Sequence, residues 1–274
     1  MPSAYRHVSS MIASAQPSEQ FVTIAGARVH LQSAGHGAPL LYLHGAGSAG
    51  QWPKFLDGLT GRYQVLAPTH PGFGQSSRLE WIDSVDELVF FYLDLLDELA
   101  LDEMCLIGHS LGGWIAAALA TIANHRIKRL VLSDPAGINP DGIKLPDLFV
   151  MSEAELAHLT VHDEAEAERQ ASAEPTLEEL ERQLSDRAAL AHLAWNPYLH
   201  DPKLPFRLHR VRMPTLLIWG RQDGLLPVEL AQSWLRALPQ ARLEIVDGAG
   251  HSPARERPAE VIRLVLDFLG DEKA

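Results

Sequence analysis

Residues 108–112 (GHSLG) match the pattern G-x-S-x-G, in which a serine stands between a strand and a helix. An apolar segment of strand length precedes Ser110, and an alanine-rich segment with helical character follows it. Glycine neighbours permit the strained turn that lifts the serine hydroxyl clear of the sheet. We therefore predict that Ser110 is a nucleophile; the alternative is a glycine-rich turn with an inert surface serine.

A serine hydroxyl becomes a good nucleophile when a nearby base accepts its proton. Histidine suits this role because it titrates near neutral pH. Of the 13 histidines, we select His251, which lies in the loop after the last predicted strand; Asp223 lies in the loop after the preceding strand. Parallel strands bring such loops together at one edge of the sheet. We predict Ser110 as nucleophile, His251 as base and Asp223 as the acid that orients His251.

Asp134 is a second candidate for the acid, because it directly follows the predicted strand 127–133. The next residues, Pro135, Ala136 and Gly137, are typical of a turn or hinge. We therefore prefer Asp223 and leave Asp134 open as the alternative acid.

Acyl transfer also needs two fixed hydrogen-bond donors for the negatively charged oxygen that develops on the substrate. The backbone N–H of Leu111, at the predicted helix start, is the first. The second is expected from the loop of residues 44–50 (HGAGSAG), where three glycines let the backbone approach a ligand closely. We predict the N–H of Ala46 as this donor, and we expect His44 to brace the loop rather than to transfer protons.

Short apolar segments alternate with longer helical segments, which predicts βαβ units and a mostly parallel sheet. A capping box at residues 84–87 (SVDE) marks the start of one helix. After an opening hairpin at 21–24 and 28–32, the predicted strands are 39–43, 63–67, 104–108, 127–133, 215–220 and 242–246, and the predicted helices are 85–99, 111–123 and 258–269.

The strand signal stops between about Ala136 and Arg210, which predicts helices inserted between two strands of the sheet. We expect a core formed by residues 20–135 and 211–271 and a helical cap formed by residues 136–210. The apolar face of one amphipathic helix is predicted from the spacing of Leu177, Leu180, Leu184, Ala188, Ala191 and Trp195. Its other face is expected to be solvated and contains Glu178, Glu179, Glu181, Arg182 and Asp186.

The composition is that of an ordinary globular protein, with 274 residues, 46% apolar and 21% charged. A chain of this length buries a core without a disulfide or a metal. The formal charge of −12 argues against nucleic acid or an anionic membrane surface as partner. A small-molecule ester is the expected partner, and a homodimer is left open.

The single cysteine, Cys105, lies in an apolar segment and is predicted to be a buried, inert thiol. No segment approaches the roughly 18 apolar residues of a membrane span. The first twenty residues lack a continuous apolar stretch, so we expect no signal peptide and a cytoplasmic protein.

Five segments together resemble the α/β-hydrolase superfamily: 43–47 (LHGAG), 69–76 (THPGFGQS), 108–113 (GHSLGG), 214–223 (PTLLIWGRQD) and 248–251 (GAGH). The resemblance extends from about residue 21 to residue 269. It implies an α/β fold with a mostly parallel eight-stranded sheet, flanking helices and an inserted helical cap. The chain order Ser110, Asp223, His251 is that of the superfamily. The resemblance implies no metal and no organic cofactor.

Differences within the superfamily narrow the chemistry. Haloalkane dehalogenases and epoxide hydrolases carry an aspartate nucleophile, which Ser110 argues against. Residues 195–197 (WNP) and 208–211 (LHRV) are similar to meta-cleavage-product C–C hydrolases. Those enzymes usually have Asn before the serine and Trp after the histidine, whereas this chain has His109 and Ser252. We therefore favour a carboxylesterase that forms an acyl-enzyme.

Two alternatives to the carboxylesterase stay open. One is a C–C bond or enol-lactone hydrolase, and the other is a ligand-binding relative without turnover. A small, fairly apolar substrate fits a pocket that is lined by aromatic side chains. The alternative role of each of these side chains is packing in the core. The candidate pocket residues are Phe73, Trp114, Phe149, Met151, Trp195, Tyr198 and Leu199.

Overall fold

The computed structural model describes residues 17–270. The absence of a signal peptide was predicted from the first twenty residues. Residues 1–16 of these lie outside the described range. None of the helices formed by residues 17–270 combines the length and the apolar character that crossing a membrane requires.

In the described part of the chain, eight strands form a single sheet with the spatial order β1-β2-β4-β3-β5-β6-β7-β8. Their bounds are β1 (Ser18–Ile24), β2 (Ala27–Ala34), β3 (Ala38–Leu43), β4 (Tyr63–Pro68), β5 (Met104–His109), β6 (Ile127–Ser133), β7 (Thr215–Gly220) and β8 (Ala241–Val246). The β1–β2 and β2–β4 pairs are antiparallel, and all other pairs are parallel. The predicted fold class, a mostly parallel eight-stranded α/β sheet, is confirmed.

Helices cover both faces of the sheet. They are α1 (Val85–Glu98), α2 (Leu111–Ile122), α3 (Glu153–Thr160), α4 (Glu164–Ala171), α5 (Leu177–Ala194), α6 (Leu204–Arg207), α7 (Glu229–Ala237), α8 (Pro253–Glu256) and α9 (Pro258–Gly270). Alternate strand residues face opposite sides, so Leu41 and Leu43 join the apolar layer of α1, α2 and α7, whereas Leu40 and Tyr42 join that of α9.

The connection from β6 to β7 contains α3, α4, α5 and α6. We refer to residues 136–210 as the cap segment, and their separation from the core as a domain stays a proposal. Capping boxes begin two of its helices, at Ser152 for α3 and at Thr176 for α5.

Helix α5 turns its predicted apolar face outward, so the predicted orientation is wrong. Leu177 is 73% exposed and Leu184 is 59% exposed, while Leu190 and Ala194 are buried. Asp186, expected on the solvated face, is also buried. Two kinds of contact explain this orientation: Ala189, Leu190, Leu193 and Ala194 pack on the apolar core, and a carboxylate oxygen of Asp186 accepts a 2.8 Å hydrogen bond from the N–H of Gly74.

That contact joins the cap segment to the loop after β4. A second one lies nearby, where Nη2 of Arg78 and Nε2 of His192 are 3.2 Å apart. Burial raises the pKa of Asp186, and the Gly74 N–H and the nearby Arg182 counteract this shift. Two apolar stripes run along this helix, and periodicity alone does not decide which of them faces the core, which explains why the pattern assigned the wrong face.

Cys105 is buried in β5, as predicted. Burial raises the pKa of its thiol to about 11. A thiol in this environment stays protonated at neutral pH and is a poor nucleophile.

Candidate active site

Ser110 lies between β5 and α2 in a strained backbone conformation with φ +53°. Two glycines make this turn sterically feasible. A side chain at Gly108 would clash with the carbonyl of Gly112, and one at Gly112 would clash with the carbonyl of Leu43. The result is a half-buried serine at the end of the sheet, held on a turn whose strain is typical of functional sites.

The structure brings Ser110, His251 and Asp223 into one hydrogen-bonded chain. The hydroxyl of Ser110 lies 2.9 Å from Nε2 of His251, and Nδ1 of His251 lies 2.7 Å from Oδ2 of Asp223. Because a carboxylate only accepts, Nδ1 carries the proton and Nε2 is free to accept one from Ser110. This tautomer is the one that a general base needs.

Asp223 is fixed from its other side as well. Its Oδ1 accepts 2.9 Å hydrogen bonds from the backbone N–H groups of both Leu225 and Leu226. The side chain is fully buried. These two donors and His251 compensate for the loss of water around the carboxylate.

Asp134 is close to this chain of residues but makes different contacts. It is fully buried with φ +44°, its Oδ1 accepts the N–H of Gly220 at 2.8 Å, and its Oδ2 accepts the hydroxyl of Ser133 at 2.9 Å. Burial first, and the neighbouring charge of Asp223 second, raise its pKa well above the ordinary value. The carboxylate that contacts His251 Nδ1 is that of Asp223, and its role as the acid stays a prediction.

The two predicted oxyanion donors lie beside the nucleophile. Leu111 is the first residue of α2, and Ala46 is the first residue of a short 3-10 helix. The first N–H groups of a helix have no intrahelical acceptor, so both remain available to a ligand. The loop that carries Ala46 approaches Ser110 closely, since a Cβ atom on Gly45 would lie only 3.3 Å from Cβ of Ser110. The role of both amides stays a prediction.

Two buried histidines brace that loop. Nδ1 of His44 donates to the carbonyl of Gly45 at 2.8 Å, and its Nε2 accepts the N–H of His70 at 3.0 Å. Nε2 of His70 donates in turn to the carbonyl of His44 at 2.8 Å, while Tyr92 donates its hydroxyl to Nδ1 of His70. Burial lowers the pKa of His44 to about 4, so it stays neutral. His44 thus lies where it can brace the loop, as expected from the sequence. No pattern in the sequence indicates that His70 links His44 to Tyr92.

His109 is a half-buried histidine to which the sequence assigned no role. Its Nε2 donates to the backbone carbonyl of His251 at 2.8 Å, and the two rings lie 5.1 Å apart. Burial, with the neighbouring His251, lowers the pKa of His109 to about 4. A neutral His109 therefore supports the loop of His251 without adding charge.

The cap segment also contacts the loops that carry His251 and Asp223. The N–H of His251 donates to the carbonyl of Thr160 at 2.8 Å, and the N–H of Gly224 donates to the carbonyl of Leu159 at 3.2 Å. Both carbonyls lie at the end of α3. These backbone contacts depend on tertiary packing and leave no side-chain pattern in the sequence.

The candidate pocket residues divide into core and surface groups. Phe73 is fully buried and packs edge-on against His44 and His70. Trp114 is 4% exposed, and its indole N–H has no partner within residues 17–270. Phe73 therefore has a packing role, and Trp114 stays a candidate for contact with a substrate.

Within the cap segment, the aromatic candidates pack against one another. The ring of Phe149 lies 5.1 Å from that of Trp195 and 5.8 Å from that of Tyr198. The hydroxyl of Tyr198 accepts the N–H of Leu148 and donates to the carbonyl of Pro146, so it stabilises the cap segment. Trp195 is 56% exposed. Met151 is half-buried and Leu199 is buried.

Asp134, Asp223 and His251 also offer three potential metal ligands within 4.8 Å of one another. Their atoms are already used in hydrogen bonds, including the bond from Nδ1 of His251 to Asp223. An ion placed there would compete with the bond that orients His251. That the chain needs no metal stays a prediction.

Comparison with known proteins agrees with this geometry. The model of the "Alpha/beta hydrolase family" matches residues 40–264. Among curated relatives, a 2-hydroxymuconate semialdehyde hydrolase of a Pseudomonas species is 29% identical, over 92% of this chain and 94% of its own length. A pimeloyl-[acyl-carrier protein] methyl ester esterase of Photobacterium profundum is 31% identical, over 87% of this chain and 97% of its own.

A solved membrane phospholipase A, described as a bacterial virulence factor, is 26% identical and superimposes with a TM-score of 0.78. The match covers 94% of this chain and 87% of that one. The family match extends over most of the chain and agrees with the sheet order and the serine turn described above. The chain therefore belongs to the alpha/beta hydrolase family.

Proposed function

We propose that the protein is a serine hydrolase that cleaves a carboxylic ester of a small, fairly apolar substrate. The observation that carries this proposal is the hydrogen-bonded chain from Ser110 through His251 to Asp223. The methyl ester esterase among the relatives supports the same bond type.

The proposed reaction has two halves. Ser110 Oγ attacks the ester carbonyl carbon while Nε2 of His251 accepts the hydroxyl proton, and the N–H groups of Leu111 and Ala46 stabilise the oxyanion. The intermediate collapses as His251 returns the proton to the leaving alcohol, which produces an acyl-enzyme. Water, deprotonated by His251, then releases the acid and restores Ser110. The imidazolium formed in each half faces the buried carboxylate of Asp223, which stabilises its charge.

Cleavage of a C–C bond is the second candidate, favoured by the similarity to the 2-hydroxymuconate semialdehyde hydrolase. His109 and Ser252 argue for the ester, because meta-cleavage-product hydrolases usually have Asn and Trp at these positions. His109 is already bonded to the carbonyl of His251, so its side chain is held within the protein.

Turnover of p-nitrophenyl acetate and butyrate, beside one dienone product of aromatic ring fission, distinguishes these functions. We expect ester hydrolysis with the higher kcat/KM and a loss of activity in Ser110→Ala. A higher kcat/KM for the dienone would make C–C cleavage the function. Saturable binding of either substrate without turnover would contradict both enzymatic functions and would indicate a ligand-binding role.

A further inference from the structure

Two buried carboxyl groups meet at the end of the sheet, although the proposed reaction uses only one. Asp134 follows β6 and Asp223 follows β7, and neither side chain is exposed. One oxygen of each lies within 4.8 Å of the other and of a ring nitrogen of His251.

The donors around the two groups are unequal. Asp223 receives two backbone N–H bonds at 2.9 Å and the N–H of His251 at 2.7 Å. Asp134 receives one backbone N–H, from Gly220, and one hydroxyl, from Ser133. Three N–H donors, one of them able to become a cation, make Asp223 the better site for a negative charge.

The titratable groups that face Asp134 within residues 17–270 offer it no fixed positive charge. Asp223 faces it from the loop after β7, and His251 faces it from the loop after β8. His109, at the end of β5, contacts His251 and stays neutral because burial lowers its pKa to about 4. Two buried carboxylates whose oxygens lie within 4.8 Å of each other repel each other strongly when both are ionised, which favours a proton on one of them.

We propose that Asp134 is a neutral carboxylic acid at neutral pH and donates its proton as a hydrogen bond to the carboxylate of Asp223. Asp134 is thus a positioning residue, because it acts on the reaction only through Asp223. This inference rests on the proposed function, in which Asp223 orients His251. The raised pKa of Asp134, caused by burial and the charge of Asp223, agrees with it.

The hydrogen bond has two consequences for the base. It holds the Asp223 carboxylate in the plane where Oδ2 faces Nδ1 of His251. It also spreads the negative charge over both carboxyl groups, which weakens the attraction of Asp223 for a protonated His251. Loss of the donor therefore favours the protonated base and lowers activity at mildly acidic pH.

Asp134→Asn and Asp134→Ala separate charge from hydrogen bonding. Asparagine is neutral, accepts the Gly220 N–H with its oxygen and donates from its nitrogen. We expect the acidic limb of kcat/KM to stay in place in Asp134→Asn. In Asp134→Ala it moves up by as much as about one pH unit, because the lost hydrogen bond is stronger when His251 is neutral than when a protonated His251 already offsets the charge of Asp223. A shift of the limb to lower pH in Asp134→Asn would overturn the inference, because it would mean that an ionised carboxylate had been removed.

Infrared spectroscopy tests directly whether the carboxyl group of Asp134 carries a proton. We expect a carbonyl stretching band of a protonated carboxyl group in the wild-type protein, absent from Asp134→Asn. Asp141→Asn is the control: this aspartate is exposed, and the Ser233 hydroxyl and Arg236 lower its pKa, so the band is unchanged. A band that persists in Asp134→Asn contradicts the inference, even where Asp134→Ala fails to fold.

The infrared result does not depend on ester turnover, so the two proposals fail separately. If no ester is hydrolysed, the pH dependence of Ser110 phosphonylation by a fluorophosphonate replaces kcat/KM, because the same base activates the serine. If the band is present and no ester is hydrolysed, the proposed substrate is wrong and the neutral Asp134 stands. If the band is absent and esters are hydrolysed, the neutral Asp134 is wrong and the proposed substrate stands.

Discussion

The backbone N–H of His251 donates a hydrogen bond to the carbonyl of Thr160, with 2.8 Å between nitrogen and oxygen. Thr160 is the last residue of α3 in the cap segment, and His251 follows β8 in the sheet. A matching bond links Gly224 to Leu159. The cap segment therefore helps to hold the loops of His251 and Asp223.

Gly250→Ala tests this contact. A Cβ atom at residue 250 would clash with the carbonyl of Thr160, so the loop must shift and take His251 with it. A displacement of about 1 Å at a catalytic group costs roughly 100-fold in rate, and we expect a fall in kcat of this size. Gly61→Ala is the matched control, since a Cβ atom there meets nothing within 4 Å. Equal kcat values for the two variants would show that the Thr160 contact is unimportant.

Ser110→Ala removes the proposed nucleophile without disturbing a packed side chain. Loss of a triad serine in a comparable enzyme lowers kcat by about 10⁶, and we expect ester hydrolysis to become undetectable while melting stays close to wild type. Ser172→Ala, at the exposed end of α4, should leave kcat unchanged. Ser110→Ala with a tenth of wild-type turnover would remove Ser110 from the mechanism.

Asp223→Asn should keep the fold and lose most of the rate. An amide at this position stabilises the wrong tautomer of His251, and the same change in a serine protease triad lowers kcat by about 10⁴. The comparison with Asp134→Asn is decisive. If Asp134→Asn loses more activity than Asp223→Asn, Asp134 is the acid and the assignment is wrong.

The lowered pKa of Glu166 predicts that the folded protein loses stability at acid pH. Hydrogen bonds from Gln170 and Arg169, and from Arg255 in α8, lower its pKa in the folded protein to about 2. Because the folded value lies below the unfolded value, the stabilisation is present above about pH 4.5 and disappears as the pH falls toward 2.

Melting temperatures of wild type and Glu166→Gln, measured from pH 7 to pH 2.5, test this. We expect wild type to melt higher at neutral pH, with a difference that shrinks on acidification and in 1 M salt, which screens exposed charges. A difference that grows as the pH falls would have the wrong sign.

Trp195→Ala is expected to cost less stability than loss of a core tryptophan. The side chain is 56% exposed and its main aromatic partner is Phe149, so we expect a loss of about 0.5–1.5 kcal/mol, the range for an aromatic pair. Urea unfolding measures it. A loss of ~3–5 kcal/mol, as for a buried tryptophan, would contradict this placement. Changed preference among acetate, butyrate and octanoate esters would give Trp195 a substrate contact.

The strands of the sheet and the positions of the candidate catalytic groups along the chain follow from local sequence. Apolar segments bounded by Pro and Gly specify strands, and loops after parallel strands must share one edge of the sheet. This is why Ser110, Asp223 and His251 can be grouped from the sequence alone, although Ser110 and His251 are more than a hundred residues apart along the chain.

The tertiary structure alone decided which faces and backbone groups meet. The orientation of α5 depends on the packing of Leu190 and Ala194 and on the bond between Asp186 and Gly74. The support of His251 depends on a carbonyl of Thr160. Every residue except proline has the same backbone donor and acceptor, so the pairing of these groups leaves little trace in residue types. The environment of Asp134 is decided in the same way: the sequence shows a carboxyl group before a turn, and only packing shows that it is buried beside a second one.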